Sequence, residues 1–294
     1  MPGPQPSDPL SVALDEAIAG RQGRLFDLLA RGSRLPGPRA NDALAEAFAQ
    51  ACRARGQASD RVIGRMCALS ADEAPGATAL EFLPFCGVLA LGARSAADPS
   101  VRAHGLVQFH ALADDPRFRV RDAVVDALSH VGGAAGDALV EGVVSWMDGY
   151  FHAGAVVRAL SREPWISSLH DAGPVVARLD EAFTLVRDAP RAAARYPGHK
   201  SLVEALATAP VALALRFGVP VFDLLQRWST ARDPVLRDLL GAAVRDKKLA
   251  NRFGSELHQL RAALEASQPP PRNPDHDFGP SRDRGGTRAR KKYR

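Results

Sequence analysis

The fold class is decided by residues 115–128, which read DPRFRVRDAVVDAL and are followed by SHVGG at 129–133. The apolar side chains of this stretch recur at i, i+4, i+7, i+8 and i+11, the spacing of one face of an α-helix: Val120, Val124, Ala127, Leu128 and Val131. The glycine pair that follows predicts the end of this helix. A new helix is expected from Asp137.

Apolar stripes with the same helical spacing continue beyond this stretch. They cover residues 139–147, 176–186, 221–228, 236–243 and 253–264. No stretch alternates between polar and apolar residues for long enough to indicate a strand. Alanine is abundant and aromatic residues make up only 6% of the chain, which suits closely packed helices better than a β-sandwich. The sequence therefore predicts an all-α fold.

Helix starts are marked by a recurring Asp-Pro dipeptide, in which aspartate is expected to be the N-cap and proline the first helical residue. Aspartate accepts a hydrogen bond from an unpaired backbone N–H, and proline has no N–H that would lack a partner. The aspartates are Asp8, Asp98, Asp115 and Asp233. Helix ends are expected at Gly20, Gly132, Gly133 and Gly218.

The Asp-Pro segments resemble HEAT repeats, close to the short lyase-type variant. The match is strongest over residues 98–145, and DPSVRA at 98–103 and DPVLRD at 233–238 repeat the opening of 115–128. The resemblance implies an α-α superhelix, a solenoid whose stacked helix pairs share one core. It also implies that the repeated arginines, Arg102, Arg121 and Arg237, bond to neighbouring carbonyls or carboxylates.

The chain divides into three parts by composition. Residues 1–7 are a Pro/Gly-rich lead that we expect to be disordered, residues 8–267 are the expected solenoid, and residues 268–294 are an expected disordered basic tail with little to bury. The tail carries eight basic and three acidic residues, and residues 1–271 carry thirty of each. The net charge of +5 thus belongs to the tail.

A run of positive charge ends the chain and predicts weak binding of polyanions. Its members are Arg288, Arg290, Lys291, Lys292 and Arg294. The alternative is a solvated tail that only aids solubility.

The motifs of enzymes are missing from the sequence. It contains no HExxH, GxSxG, Walker-A or GxGxxG-helix motif. The eight histidines are scattered, and the three cysteines are widely spaced and expected to be buried small residues in a reducing compartment. We therefore expect no catalytic residue, no cofactor and no metal site.

The leading hypothesis is a non-enzymatic scaffold that binds a protein partner on the concave face of a solenoid. Aromatic residues near arginines are the candidate contacts, although packing between repeats is their alternative role: Arg121, Trp146, Tyr150, Arg158 and Trp165. The alternative function is nucleic-acid binding, including recognition of alkylated bases in DNA. A continuous basic stripe on the concave face would favour nucleic acid, and a mixed or apolar groove would favour a protein.

The N-terminus lacks the basic and apolar regions of a signal peptide, and the longest uncharged window, residues 82–93, is too short for a membrane span. We expect a cytoplasmic protein without membrane contact. The oligomeric state and the pairing of helices in residues 1–95 stay open.

Overall fold

The structure, a computed structural model, describes residues 8–268 and confirms the all-α class, since it contains no strand in that range. The predicted lead at 1–7 and the polyanion-binding residues of the tail lie outside the described residues. The helices are α1 (Pro9–Ile18), α2 (Gly23–Gly32), α3 (Asp42–Arg55), α4 (Asp60–Cys67), α5 (Phe82–Ala97), α6 (Pro99–Ala113), α7 (Phe118–Ala135), α8 (Asp137–Gly142), α9 (Tyr150–Leu160), α10 (Trp165–Ser168), α11 (Ala172–Arg187), α12 (Pro197–Phe217), α13 (Val219–Trp228), α14 (Pro234–Val244), α15 (Lys247–Arg252) and α16 (Gly254–Ala266). Short 3-10 segments lie at Gly56–Ser59, Ala79–Glu81, Val144–Asp148 and Arg191–Arg195.

The helices pack in a continuous series. Helices α3, α5, α7, α9, α12, α14 and α16 each contact the next member of this series. Helices α4, α6, α11 and α13 lie beside it and pack against its members. The apolar side chains between these helices form one core cluster that runs from Leu10 to Leu260.

Three of the predicted Asp-Pro starts are confirmed as helix caps. Each carboxylate accepts a hydrogen bond from a backbone N–H of the first turn, at 3.3 Å for Asp8, 3.0 Å for Asp98 and 3.1 Å for Asp233. The helix ends predicted at Gly20 and Gly218 are also confirmed, and both glycines have positive φ angles, of 94° and 68°.

The fourth Asp-Pro start was placed wrongly, because α7 begins at Phe118 and not after Asp115. The carboxylate of Asp115 instead forms a two-point ion pair with the buried Arg117, at 2.8 and 2.6 Å. The guanidinium of Arg117 also donates to three carbonyls of the loop after α4, those of Leu69, Ser70 and Ala74. The same carboxylate accepts the backbone N–H of Arg117 at 2.8 Å, so Asp115 holds both the backbone and the side chain of this near neighbour, and α7 begins at the next residue, Phe118.

The helix end predicted at Gly132 and Gly133 is also wrong. Both glycines lie inside α7, which continues to Ala135 and ends at Gly136 with a φ of 59°. A side chain at 132 would overlap the indole of Trp165, and one at 133 would overlap Pro164. These glycines are therefore required for close packing of α7 against the segment that begins α10.

The repeated arginines bond to carbonyls, as the resemblance implies. Arg102 donates to the carbonyl of Ser95 at 3.4 Å, and Arg121 donates to the carbonyl of Asp115. Arg237 donates to the carbonyls of Leu264 at 2.8 Å and Ser267 at 3.2 Å. Arg102 thus ties the start of α6 to the last turn of α5, Arg121 ties α7 to the loop before it, and Arg237 ties α14 to the end of α16.

Helix α5 is the central core helix. The segment Ala79–Ala97 is apolar and long enough to meet the criterion for a membrane span, the one such segment found within residues 8–268, yet 72% of its window is buried inside the protein. Its burial on α3, α4 and α7 explains the apolar composition.

The cysteines are buried and unpaired, as predicted. Burial raises the pKa of Cys52 and Cys67 to about 12 and that of Cys86 well above its usual value. Each thiol therefore stays protonated and packs as a small apolar side chain.

Candidate interaction groove

A groove of about 470 Å³ lies on the faces of three consecutive members of the helix series, α7, α9 and α12. We call it the α7–α9–α12 groove. It is lined by Ala113, Phe118, Arg121, Asp122, Val125, Phe151, Ala155, Arg158, Ser161, Arg162, Pro197, Lys200, Ser201, Glu204, Ala205 and Thr208. These lining residues include two carboxylates and two serines but neither histidine nor cysteine.

Two ion pairs join α7 to α9 and to the residues that follow α9, at one edge of the groove. Arg158 lies 2.8 Å from Asp122, and Arg162 lies 3.0 Å from Asp126. Both pairs join residues 36 positions apart, and the second pair lies one helical turn beyond the first. Burial raises the pKa of Asp126 although Arg162 opposes the shift. Two of the groove's cations are thus neutralised by acids of the neighbouring helix.

Arg121 lines the groove from α7. Its guanidinium carbon is 4.4 Å from the centre of the Phe151 ring, within cation–π distance. Burial lowers the pKa of Arg121, outweighing the opposing effect of the acids around it. Because its guanidinium also donates to the backbone at Asp115, the side chain is held in place before any partner binds.

The groove also presents groups that are free to meet a partner. Phe118, at the start of α7, is 52% exposed. Lys200 and Glu204 are exposed and lie four residues apart on α12, so that they project from the same helix face. The groove therefore combines an apolar side chain with both signs of charge and is not a continuous basic stripe.

The structure brings together two of the five predicted partner-binding residues, Arg121 and Arg158. Tyr150 is half-buried at the start of α9 and packs edge-on against His199, with ring centres 5.3 Å apart. It lies outside the groove, beside Asp148 and Asp188.

The predicted partner contacts of Trp165 and Trp146 are corrected by their burial. Trp165 is fully buried on Gly132, and its indole N–H donates to the carbonyl of Gly136 at 3.2 Å. Trp146 is 3% exposed. Both side chains fill space between helices, the alternative role considered for them, and neither forms a platform on which a base could stack.

Sequence reasoning missed Phe118, Lys200 and Glu204. A signal for Phe118 was present, since a phenylalanine off the apolar stripe of α7 must face outward. The contribution of α12 could not be found in this way, because it depends on how α12 packs on α9.

The expectation that no metal-ligating cluster exists is also corrected. Candidate ligand atoms of His110, Asp148 and His152 lie within 4.8 Å of one another. The i, i+4 spacing of Asp148 and His152 was a visible signal, and His110 joins them only through the packing of α6 beside α9.

No protein-family model matches the chain, and no curated protein matches it. The resemblance to HEAT repeats therefore depends on the Asp-Pro and Val-Arg motif residues themselves.

Proposed function

We propose that the protein is a non-enzymatic, HEAT-like α-solenoid of the cytoplasm that binds a protein partner on its concave face, in the α7–α9–α12 groove. The observation that carries this proposal is the mixed character of the groove, in which exposed Phe118 lies among charges of both signs. Protein partners use complementary charges for orientation and apolar side chains for affinity.

The groove suits a partner segment with three features. An apolar side chain would cover Phe118, an acidic one would meet Lys200, and a basic one would meet Glu204. A helix or extended peptide laid across α7, α9 and α12 can supply these contacts along its length.

Nucleic-acid binding, including recognition of alkylated bases, is the alternative proposal, and the basic run at 288–294 is the observation in its favour. The groove supports it less, because Arg158 and Arg162 are already paired with acids.

A photo-crosslinking amino acid tests the groove directly. Placed at Thr208, which lines the groove, it should give a discrete protein adduct in the native host. The matched control is Val107 on α6, which is 67% exposed and away from the groove. The adduct should weaken when Lys200→Glu is added. Equal yields at both positions, or none at position 208, would contradict the proposal.

Titration with duplex DNA and RNA at two salt concentrations tests the alternative proposal of nucleic-acid binding. Binding through the five charges of the tail should be independent of sequence, with a log–log salt slope no steeper than about −4 to −5. Deletion of residues 269–294 should abolish it. If the deletion leaves affinity intact and Lys200→Glu reduces it, the groove binds nucleic acid and the alternative replaces the leading proposal.

A further inference from the structure

Three elements bring His110, Asp148 and His152 to one place. His110 lies in the last turn of α6, Asp148 ends the 3-10 segment Val144–Asp148, and His152 lies in the first turn of α9. The carboxylate lies beside the edges of the two imidazoles and offers one oxygen to each. The distance is 3.0 Å from Oδ2 to Nε2 of His110 and 2.7 Å from Oδ1 to Nδ1 of His152.

These separations are close to those of atoms that share one metal ion. Two ligands that are each about 2.1 Å from an ion and 90–110° apart lie about 3.0–3.4 Å from each other. Because the two rings lie nearly parallel, one imidazole has to rotate about its side-chain bonds until both nitrogen lone pairs point to the same ion, and this rotation also opens the hydrogen bonds to that distance. The coordinating nitrogens would then carry lone pairs, with the remaining ring proton on the other nitrogen of each imidazole.

His110 and His152 are the basic side chains that pair with Asp148 within residues 8–268. The two rings are stacked, with centres 3.8 Å apart and planes 26° from parallel.

The surroundings position the histidines and leave a path for an ion. Trp146 packs edge-on against both rings, with ring centres 5.1 Å from His110 and 6.2 Å from His152. The side chains of His110 and His152 are 33% and 16% exposed, and that of Asp148 is 50% exposed. An ion can therefore enter from solvent and keep a water molecule as its fourth ligand.

We propose that His110, Asp148 and His152 bind one divalent first-row transition-metal ion, for which Zn²⁺ is the reference ion. Two imidazoles and one carboxylate suit this class, whereas Mg²⁺ and Ca²⁺ prefer sites made of oxygen atoms alone. The bound ion joins α6 to the start of α9 and stabilises their packing.

The test uses the full chain, from which a chelator has removed bound metal ions, and titrates it with Zn²⁺ and Co²⁺. Calorimetry should give one strong site per chain, and bound Co²⁺ should develop visible absorption bands. Zinc at 100 times its Kd should raise Tm by about 5–10 °C.

Four variants assign the site. His110→Ala, His152→Ala and the isosteric Asp148→Asn should each weaken Zn²⁺ binding at least tenfold while far-UV circular dichroism stays unchanged. His104→Ala is the matched control, because His104 is exposed on the same helix α6, and it should bind as the wild type does. Absence of Zn²⁺ binding to the wild type would overturn the proposal. Full-strength binding by the two histidine variants would also overturn it, since the ion would then lie elsewhere.

Discussion

Replacing Arg117 with methionine should destabilise the protein by about 3–5 kcal/mol, the usual effect of breaking a buried ion pair. The side chains of Arg117 and Asp115 are 3% and 8% exposed, so the substitution leaves a buried carboxylate without its cation. It also leaves three carbonyls of the loop after α4 without their donor. Methionine keeps most of the aliphatic stem, so packing changes little.

Thermal and urea unfolding followed by circular dichroism measure the effect. At about 2–4 °C per kcal/mol, Tm should fall by about 6–20 °C. The matched control is Arg162→Met, whose ion pair with Asp126 is 45% exposed on both sides and should contribute about 0–1 kcal/mol.

A double-mutant cycle shows whether the pair itself is responsible. The double variant Asp115→Asn/Arg117→Met should lose less free energy of unfolding than the two single variants lose together. The reason is that the second substitution removes the charge that the first leaves unpaired. If Arg117→Met lowers the free energy of unfolding by no more than Arg162→Met does, burial does not strengthen the Arg117 ion pair.

Three further predictions follow from other features. Gly132→Ala should lower the free energy of unfolding by about 1–3 kcal/mol because its methyl group would overlap Trp165. The control, Gly64→Ala, lies in open space on α4 and should raise the free energy of unfolding by about 0.5–1 kcal/mol. Equal shifts of the two urea midpoints would contradict this prediction. Burial lowers the pKa of His199, so the unfolded chain binds the proton more readily than the folded chain. The free energy of unfolding should therefore fall as the pH drops from 7.5 to 5.5. A His199→Gln variant that shows the same pH dependence in urea melts would contradict this prediction. Removing residues 269–294 should change Tm by less than about 4 °C, and a larger drop in calorimetry would mean that the tail docks on the helices.

The fold could be predicted from sequence wherever the signal was local. Asp8, Asp98 and Asp233 cap helices because a carboxylate beside an N-terminal turn needs no distant partner. Asp115 was misplaced because its carboxylate holds Arg117, whose buried side chain bonds to distant loop carbonyls. Gly132 was misplaced because it packs against Trp165, which follows α7 in the chain.

The candidate site was predictable only in part, for the same reason. Arg121 and Arg158 were predicted because arginines near aromatic residues in the sequence indicate a contact surface. Lys200 lines the same groove through the packing of α12 on α9, and no pattern near residue 200 encodes that contact.

The contact between Gly132 and Trp165 restricts the order in which these two positions can change during evolution. A larger residue at 132 becomes tolerable only after the indole has been replaced by something smaller. That first step opens a cavity and costs about 3–5 kcal/mol, a large share of the stability of a typical domain. Each single substitution is therefore disfavoured. A larger residue at 132 and a smaller residue at 165 can be accepted only together, or in a protein that other substitutions have already stabilised. Descendants of this sequence should keep both residues or have replaced both.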